Sequence, residues 1–164
     1  MQNFQQEINR LSLIPDTDQE FAIDALMAIA DLLQVQRTSL WLLDESSQAI
    51  SCRNLIDKER GMLIEASTLY EKDYPQYFKA LKSGQPIIAQ DARKNVTTKE
   101  FTDIYLIPFN IVSMLDLPVF VDNQLVGIIC CEHCGEKRPW LAQEQAFVRQ
   151  IAALIGIRLA NKCF

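Results

Sequence analysis

Cys130, Cys131, His133 and Cys134 fall within five positions of one another, and their side chains are of the types that bind metals or form redox pairs. Their spacing argues against either use. Cys130 and Cys131 are neighbours in a stretch that reads as a strand, so their side chains point to opposite faces and cannot close on one ion. Only Cys131 and His133 share a face, with Cys134 in the loop beyond. His133 is the single histidine. It is adjacent in sequence to Cys134, a poor geometry for a base and its nucleophile. These residues predict a non-enzymatic chain with no metal site, whose buried thiols behave as small hydrophobes.

A second set fits a binding pocket. Tyr77, Phe78, Phe101, Tyr105 and Phe109 could form its apolar wall, and Asp91, Ser113, Asp116 and Cys130 could supply its placed polar groups. The alternative is that the aromatics only fill a core. Asp116 and Glu132 interrupt otherwise apolar runs. A carboxylate there is costly unless paired, so Asp116 is expected to hold a ligand or to accept hydrogen bonds from a neighbouring segment. Ser113 and Leu115 alternate onto the face opposite Met114 and Asp116, and the sequence leaves open which face is the pocket side.

These residues are positioned by the run from Ile111 to Glu132. Two apolar stretches flank Asp122-Asn123, a pair that tolerates the positive φ of a type I′ hairpin turn. Because both are apolar at nearly every position, they are expected at the centre of a sheet covered on both faces. Before them, Phe4, Ile8 and Leu11 predict a short helix ended by Pro15, and Thr17-Asp18-Gln19-Glu20 has the pattern of a capping box opening a helix to about Leu33. Strands are predicted over 36–44 and 49–55, the second nearer an edge, followed by an irregular segment over 57–73 with a possible helical piece. Then come a helix from Tyr74-Pro75 closed by Gly84, a short strand over 85–90, and a short helix capped by Thr97 or Thr98 and stopped by Pro108. Residues 140–161 form the last helix. Tight turns between strands imply antiparallel pairs, and helices at both ends and in the middle imply an α+β sandwich.

The bulk properties set limits. The 164 residues suit one domain with a single core, about half of them hydrophobic, with a net charge of −5. The chain shows no basic patch for nucleic acid, no apolar run long enough for a membrane and no signal sequence. Five cysteines without a disulfide framework favour reduced thiols and the cytoplasm.

From about Thr17 to Ala160 the sequence resembles a GAF domain of the bacterial signal-transduction type attached to histidine kinases and cyclic-di-GMP enzymes. The resemblance is carried by Ser113-Met114-Leu115-Asp116-Leu117-Pro118-Val119, by Leu125 to His133, and by Trp140 with Glu144-Gln145-Ala146-Phe147. It implies a GAF/PAS-like antiparallel sheet of five or six strands, terminal helices on one face, and middle helices and loops over a pocket on the other. Residues 1–15 would be a connector helix and 16–161 the domain. It also implies a regulatory sensor that binds an unidentified small molecule, homodimerises, and passes its signal through the terminal helices to an output domain in cis or in trans. A ligand-free interaction module is the alternative, followed by a thiol redox sensor or a relative of the free methionine sulfoxide reductases. The family's cyclic-nucleotide constellation is absent, and His133 precedes rather than follows Cys134, unlike the bilin-binding pattern. Leu141-Ala142 stands where Thr-Pro is usual, so the last helix is expected to fray at its start.

Overall fold

The computed structural model describes residues 3–63 and 67–161; Cys163 and three residues of the segment expected to be irregular lie outside them. Among the described residues there are four α-helices: α1 (Phe4–Ser12), α2 (Phe21–Leu33), α3 (Pro75–Lys82) and α4 (Ala142–Ala160). The strands are β1 (Arg37–Leu43), β2 (Ala49–Asp57), β3 (Gly61–Leu63), β4 (Thr68–Tyr70), β5 (Ile87–Ala89), β6 (Ile111–Val121) and β7 (Gln124–Cys134). Six of them form one antiparallel path in the order β3-β2-β1-β7-β6-β5, and β4 pairs with the far end of β2.

The β6–β7 hairpin is where the sequence places it. Asp122 and Asn123 take φ of 49° and 62°, the left-handed pair of a type I′ turn, and Val121 faces Gln124 across it. β7 is central, paired with β1 on one side and β6 on the other. Both faces of the hairpin are covered, which accounts for its unbroken apolar pattern. Leu115, Leu117, Val119, Ile129 and Cys131 pack with α1, α2 and α4, while Met114, Ile128 and Cys130 pack with α3 and the segment after β5. A register shift between Ile111 and Ser113 turns Ile111 to the second face as well.

Four local expectations are corrected. The described parts of the segment from Asp57 to Asp73 are not irregular: they carry β3 and β4. Asp57 Oδ1 accepts the N–H groups of Glu59 and Arg60 and folds the chain back on β2, and three-residue strands leave no periodicity to read. Thr17 does not cap α2. Asp18 Oδ1 accepts Glu20 N–H at 2.8 Å instead, and the helix waits for Phe21, where its buried stripe begins. The helix expected after Thr97 or Thr98 is a 3₁₀ turn at Lys99–Phe101 running into a π turn at Thr102–Leu106, because Thr98 Oγ1 donates outward to Ala92 O rather than capping. Finally, α4 starts at Ala142 rather than Trp140, and its start is tied: the Glu144 carboxylate accepts Leu141 N–H at 2.9 Å.

Candidate functional site

Between the second face of the sheet and the middle segment lies a cavity of about 150 Å³. Its floor is Ser39 and Trp41 of β1, Ile50 of β2, Met114 of β6, and Cys130 and Glu132 of β7. These are the outward residues of adjacent strands, set by the register Met114↔Glu132 and Asp116↔Cys130. The roof is Tyr74 and Tyr77 with Phe101, Ile104 and Tyr105, and Ser67 and Leu69 close one side. The roof is held by its own contacts. Tyr74 and Tyr77 lie 4.7 and 4.9 Å from the Phe101 ring centre, and the Glu100 carboxylate accepts the N–H groups of Gln76 and Tyr77 at the start of α3.

Two buried polar groupings sit under this apolar shell. In the first, the Tyr77 hydroxyl donates to Asp116 Oδ2 at 2.5 Å and lies 3.8 Å from Cys130 Sγ. Asp116 Oδ1 is buried without a partner. Burial pushes the Asp116 carboxyl up to about 7, against the hydrogen bond from Tyr77. Burial beside Asp116 and Glu132 likewise pushes the Cys130 thiol up, the reverse of what a nucleophile needs.

In the second, Arg37 pairs with Asp57 and, at 3.4 Å, with Glu132. Tyr105 bridges them, accepting from Arg37 at 3.1 Å and donating to Glu132 at 2.8 Å. Burial works against the Arg37 charge, but Tyr105, Glu132 and Asp57 outweigh it and hold its pKa above the ordinary value. Burial raises Glu132, with Arg37 and Tyr105 opposing. A second cavity of about 160 Å³ adjoins the first and shares Trp41, Ser67 and Tyr105 with it; Arg37, Arg60 and Phe109 form its other side.

Of the nine residues singled out in the sequence, Tyr77, Phe101, Tyr105 and Cys130 line the roofed cavity. Asp116 lies just beneath, behind Tyr77. Phe109 lines the adjoining cavity, stacked under Arg37 at 4.5 Å. The other three are elsewhere. Phe78 is wholly buried in the core under α3. Asp91 is ion-paired with Lys137 at 2.8 Å, which holds its carboxyl below the usual range. Ser113 is on the helix-covered side, where its hydroxyl donates to Gln90 O and accepts Arg138 N–H. The spacing passed over Ser39, Trp41, Ile50, Tyr74, Ile104 and Met114. Glu132 had a signal, a carboxylate two positions from Cys130 in an apolar strand.

Among the described residues, no group of three or more His, Cys, Asp or Glu side chains is arranged around a metal, and Cys130, Cys131 and Cys134 are free thiols. No described helix is long and apolar enough to cross a membrane.

A central antiparallel sheet, terminal helices on one face and a roofed cavity on the other define a small α+β domain built around an enclosed site. The sequence matches the GAF domain family over residues 19–159, and the chain belongs to that family of regulatory sensor domains. No curated protein sequence matches the chain. Solved structures share the fold at low identity. The GAF domain of a phosphoenolpyruvate-protein phosphotransferase from Coxiella burnetii superposes with a TM-score of 0.74 at 14% identity, over 96% of this chain and 90% of that one. A far-red-absorbing dark-state domain with bound biliverdin IXa gives 0.74 at 12% identity, over 98% and 99%. The free methionine-R-sulfoxide reductase of Neisseria meningitidis, in complex with its substrate, gives 0.73 at 10% identity, over 98% and 89%.

Proposed function

We propose that this chain is a non-catalytic sensor of a bacterial signalling protein, acting in the cytoplasm. It binds a small molecule in the cavity between sheet and roof and passes the occupied state to its terminal helices. One observation carries the reading: the strands that floor the cavity are the strands on which the terminal helices rest. On β6 and β7, Met114, Cys130 and Glu132 look into the cavity, while Leu115 and Cys131 pack in the terminal-helix core, with α4 lying on β6; on β1, Ser39 and Trp41 look into the cavity, while Leu40 packs in the same core and α2 lies on β1 and β2. A ligand that shifts the floor therefore acts on the seat of both helices, and any difference in its affinity for two helix arrangements becomes a population shift. The helices are coupled to each other as well. Arg158 of α4 donates to Ile14 O at 2.6 Å, and Arg138 bonds both Leu33 O at the end of α2 and the Glu144 carboxylate of α4.

A cavity of about 150 Å³ remains beneath Tyr77, Phe101 and Tyr105, which supports binding over a closed interaction module. The volume is small for a tetrapyrrole such as the biliverdin in one structural neighbour. A reductase role gets no support from Cys130, whose thiol is buried and held protonated. The signalling reading further takes the chain as a homodimer with its output domain in cis or in trans, and residues 16–161 as the sensor.

Native mass spectrometry of the purified protein tests this in one measurement. The expected result is a dimer carrying a small-molecule adduct, with hydrogen exchange in α4 changing when the adduct is stripped. An adduct whose removal leaves exchange in α2 and α4 unaltered would sink the signalling role. Methionine-R-sulfoxide reduction that is lost in Cys130→Ala would overturn the non-catalytic assignment.

A further inference from the structure

The ligand's chemical class can be narrowed, resting on the reading of this cavity as a ligand site. Five aromatic side chains line it: Trp41, Tyr74, Tyr77, Phe101 and Tyr105. The sixth residue that matters is Glu132, and no Lys, Arg or His is among the described lining residues. Ring faces attract a cation, more strongly where water is excluded. The one charged lining group has the matching sign. Arg37 is shared by Asp57 and Glu132, and its contact to Glu132 is the longer, at 3.4 Å; Arg60 lies with it over Phe109, in the adjoining cavity. Arg37 itself lies on the far side of Tyr105, among the residues of the adjoining cavity.

We propose that the cavity takes a compact organic ammonium cation, its alkyl groups packed against the aromatic rings and its positive centre set against Glu132. An anion would meet Glu132 with no lining cation to answer it. A neutral ring would fill the space but leave Glu132 with only the Tyr105 hydroxyl and its long contact to Arg37. The size agrees: about 150 Å³ admits a ligand of roughly six to ten heavy atoms. A quaternary or fully alkylated ammonium fits such a site better than a primary amine, because it loses little hydration and needs no further acceptors.

The test is a titration followed by Trp41 fluorescence at constant ionic strength, with choline, tetramethylammonium and the uncharged choline isostere 3,3-dimethyl-1-butanol. Choline is expected to bind at least about tenfold more tightly than the isostere. Glu132→Gln should shrink that ratio toward one while leaving the isostere's affinity unchanged. Tyr74→Leu removes one half-buried wall and should also lower the ratio; it covers the case in which Glu132→Gln fails to fold. Equal or tighter binding of the isostere would overturn the cation assignment while leaving the cavity a ligand site. Binding of none of the three probes would overturn it too, and the sensor reading would then stand or fall on the mass-spectrometric adduct alone. A retained adduct that proves neutral or anionic also overturns it, with the sensor reading intact.

Discussion

The Tyr77 hydroxyl donates to Asp116 Oδ2 at 2.5 Å, joining the roof helix of the cavity to the middle of the sheet. This one bond explains how a carboxyl survives in an apolar strand, and it places a titrating group at the junction of cavity and core. Asp116 is fully buried, and its carboxyl is pushed up to about 7 by burial. In the unfolded chain it returns to about 3.9. Between those values the folded protein keeps a proton that the unfolded chain has lost. The Asp116 contribution to stability is therefore greatest below about pH 4, falls as pH rises to about 7, and is level above that.

Asp116→Asn removes the titration and keeps an acceptor for Tyr77. Its new amide nitrogen takes the place of the unpartnered oxygen, which limits the gain. At pH 8 the variant should be more stable than the wild type by about 1–2 kcal/mol, and at pH 5 equal or weaker. Urea unfolding at the two pH values checks this. Parallel pH dependence in variant and wild type would show that Asp116 is not the titrating group.

Arg37 is the single cation between Asp57 and Glu132, 3% exposed and stacked over Phe109. Replacing it with Met keeps the stem's volume but leaves two buried carboxylates unanswered. Arg37→Met should cost about 3–5 kcal/mol at pH 7. The loss should be smaller at pH 5, where Glu132, already raised by burial, can take up a proton. Chemical denaturation at both pH values measures the difference. A cost below about 1 kcal/mol would mean the network contributes no more than a surface ion pair.

The sheet centre was legible because its signals are local. Asp122-Asn123 specifies its own turn, and continuous apolar runs report covering on both faces. The cavity was legible only in part. Tyr77, Phe101 and Tyr105 stand out as aromatics on short amphipathic pieces. Trp41 and Ile50 reach the same space from strands whose apolar pattern would be identical in a solid core. A serine in a buried strand carries no mark of which face it serves; the Ser113 hydroxyl satisfies Gln90 O and Arg138 N–H. Asp91 gives no local sign of its partner, because Lys137 is 46 positions away and only the fold brings them to 2.8 Å. The strands β3 and β4 escaped because three residues are too few for a period, and their pairing with β2 is a tertiary fact.

Gly156 sets how closely α4 lies on the sheet. A Cβ built there falls 2.3 Å from the backbone oxygen of Phe120, which cannot move without distorting β6. Gly156→Ala should therefore destabilise by about 1–3 kcal/mol, although alanine is the better helix former. Because the added methyl lifts α4 at the point where it crosses β6, hydrogen exchange should rise there before it rises at the Glu144 end. Thermal unfolding with residue-resolved exchange checks both, and a stabilised variant would show that the helix can shift freely on its seat.

The start of α4 has half of a capping box. Glu144 reaches back to Leu141 N–H, but Leu141, extended at φ −73° and ψ 149°, has no side-chain oxygen for the first-turn N–H groups; only its backbone oxygen accepts there, from Glu144 N–H and Gln145 N–H at 3.1 Å. Leu141 is 48% exposed, so little packing is lost by changing it. Leu141→Thr supplies the missing acceptor in a backbone conformation that already suits it, and should stabilise the domain by about 0.5–1 kcal/mol. Glu144→Gln should then erase part of that gain, since the two side chains complete one box and Glu144 also pairs with Arg138. A double-mutant cycle in urea unfolding reads the coupling directly. Additive effects would mean that Glu144 acts through Arg138 alone and that the turn at Leu141 is held by the Trp140 side chain, which is 8% exposed against the terminal-helix core.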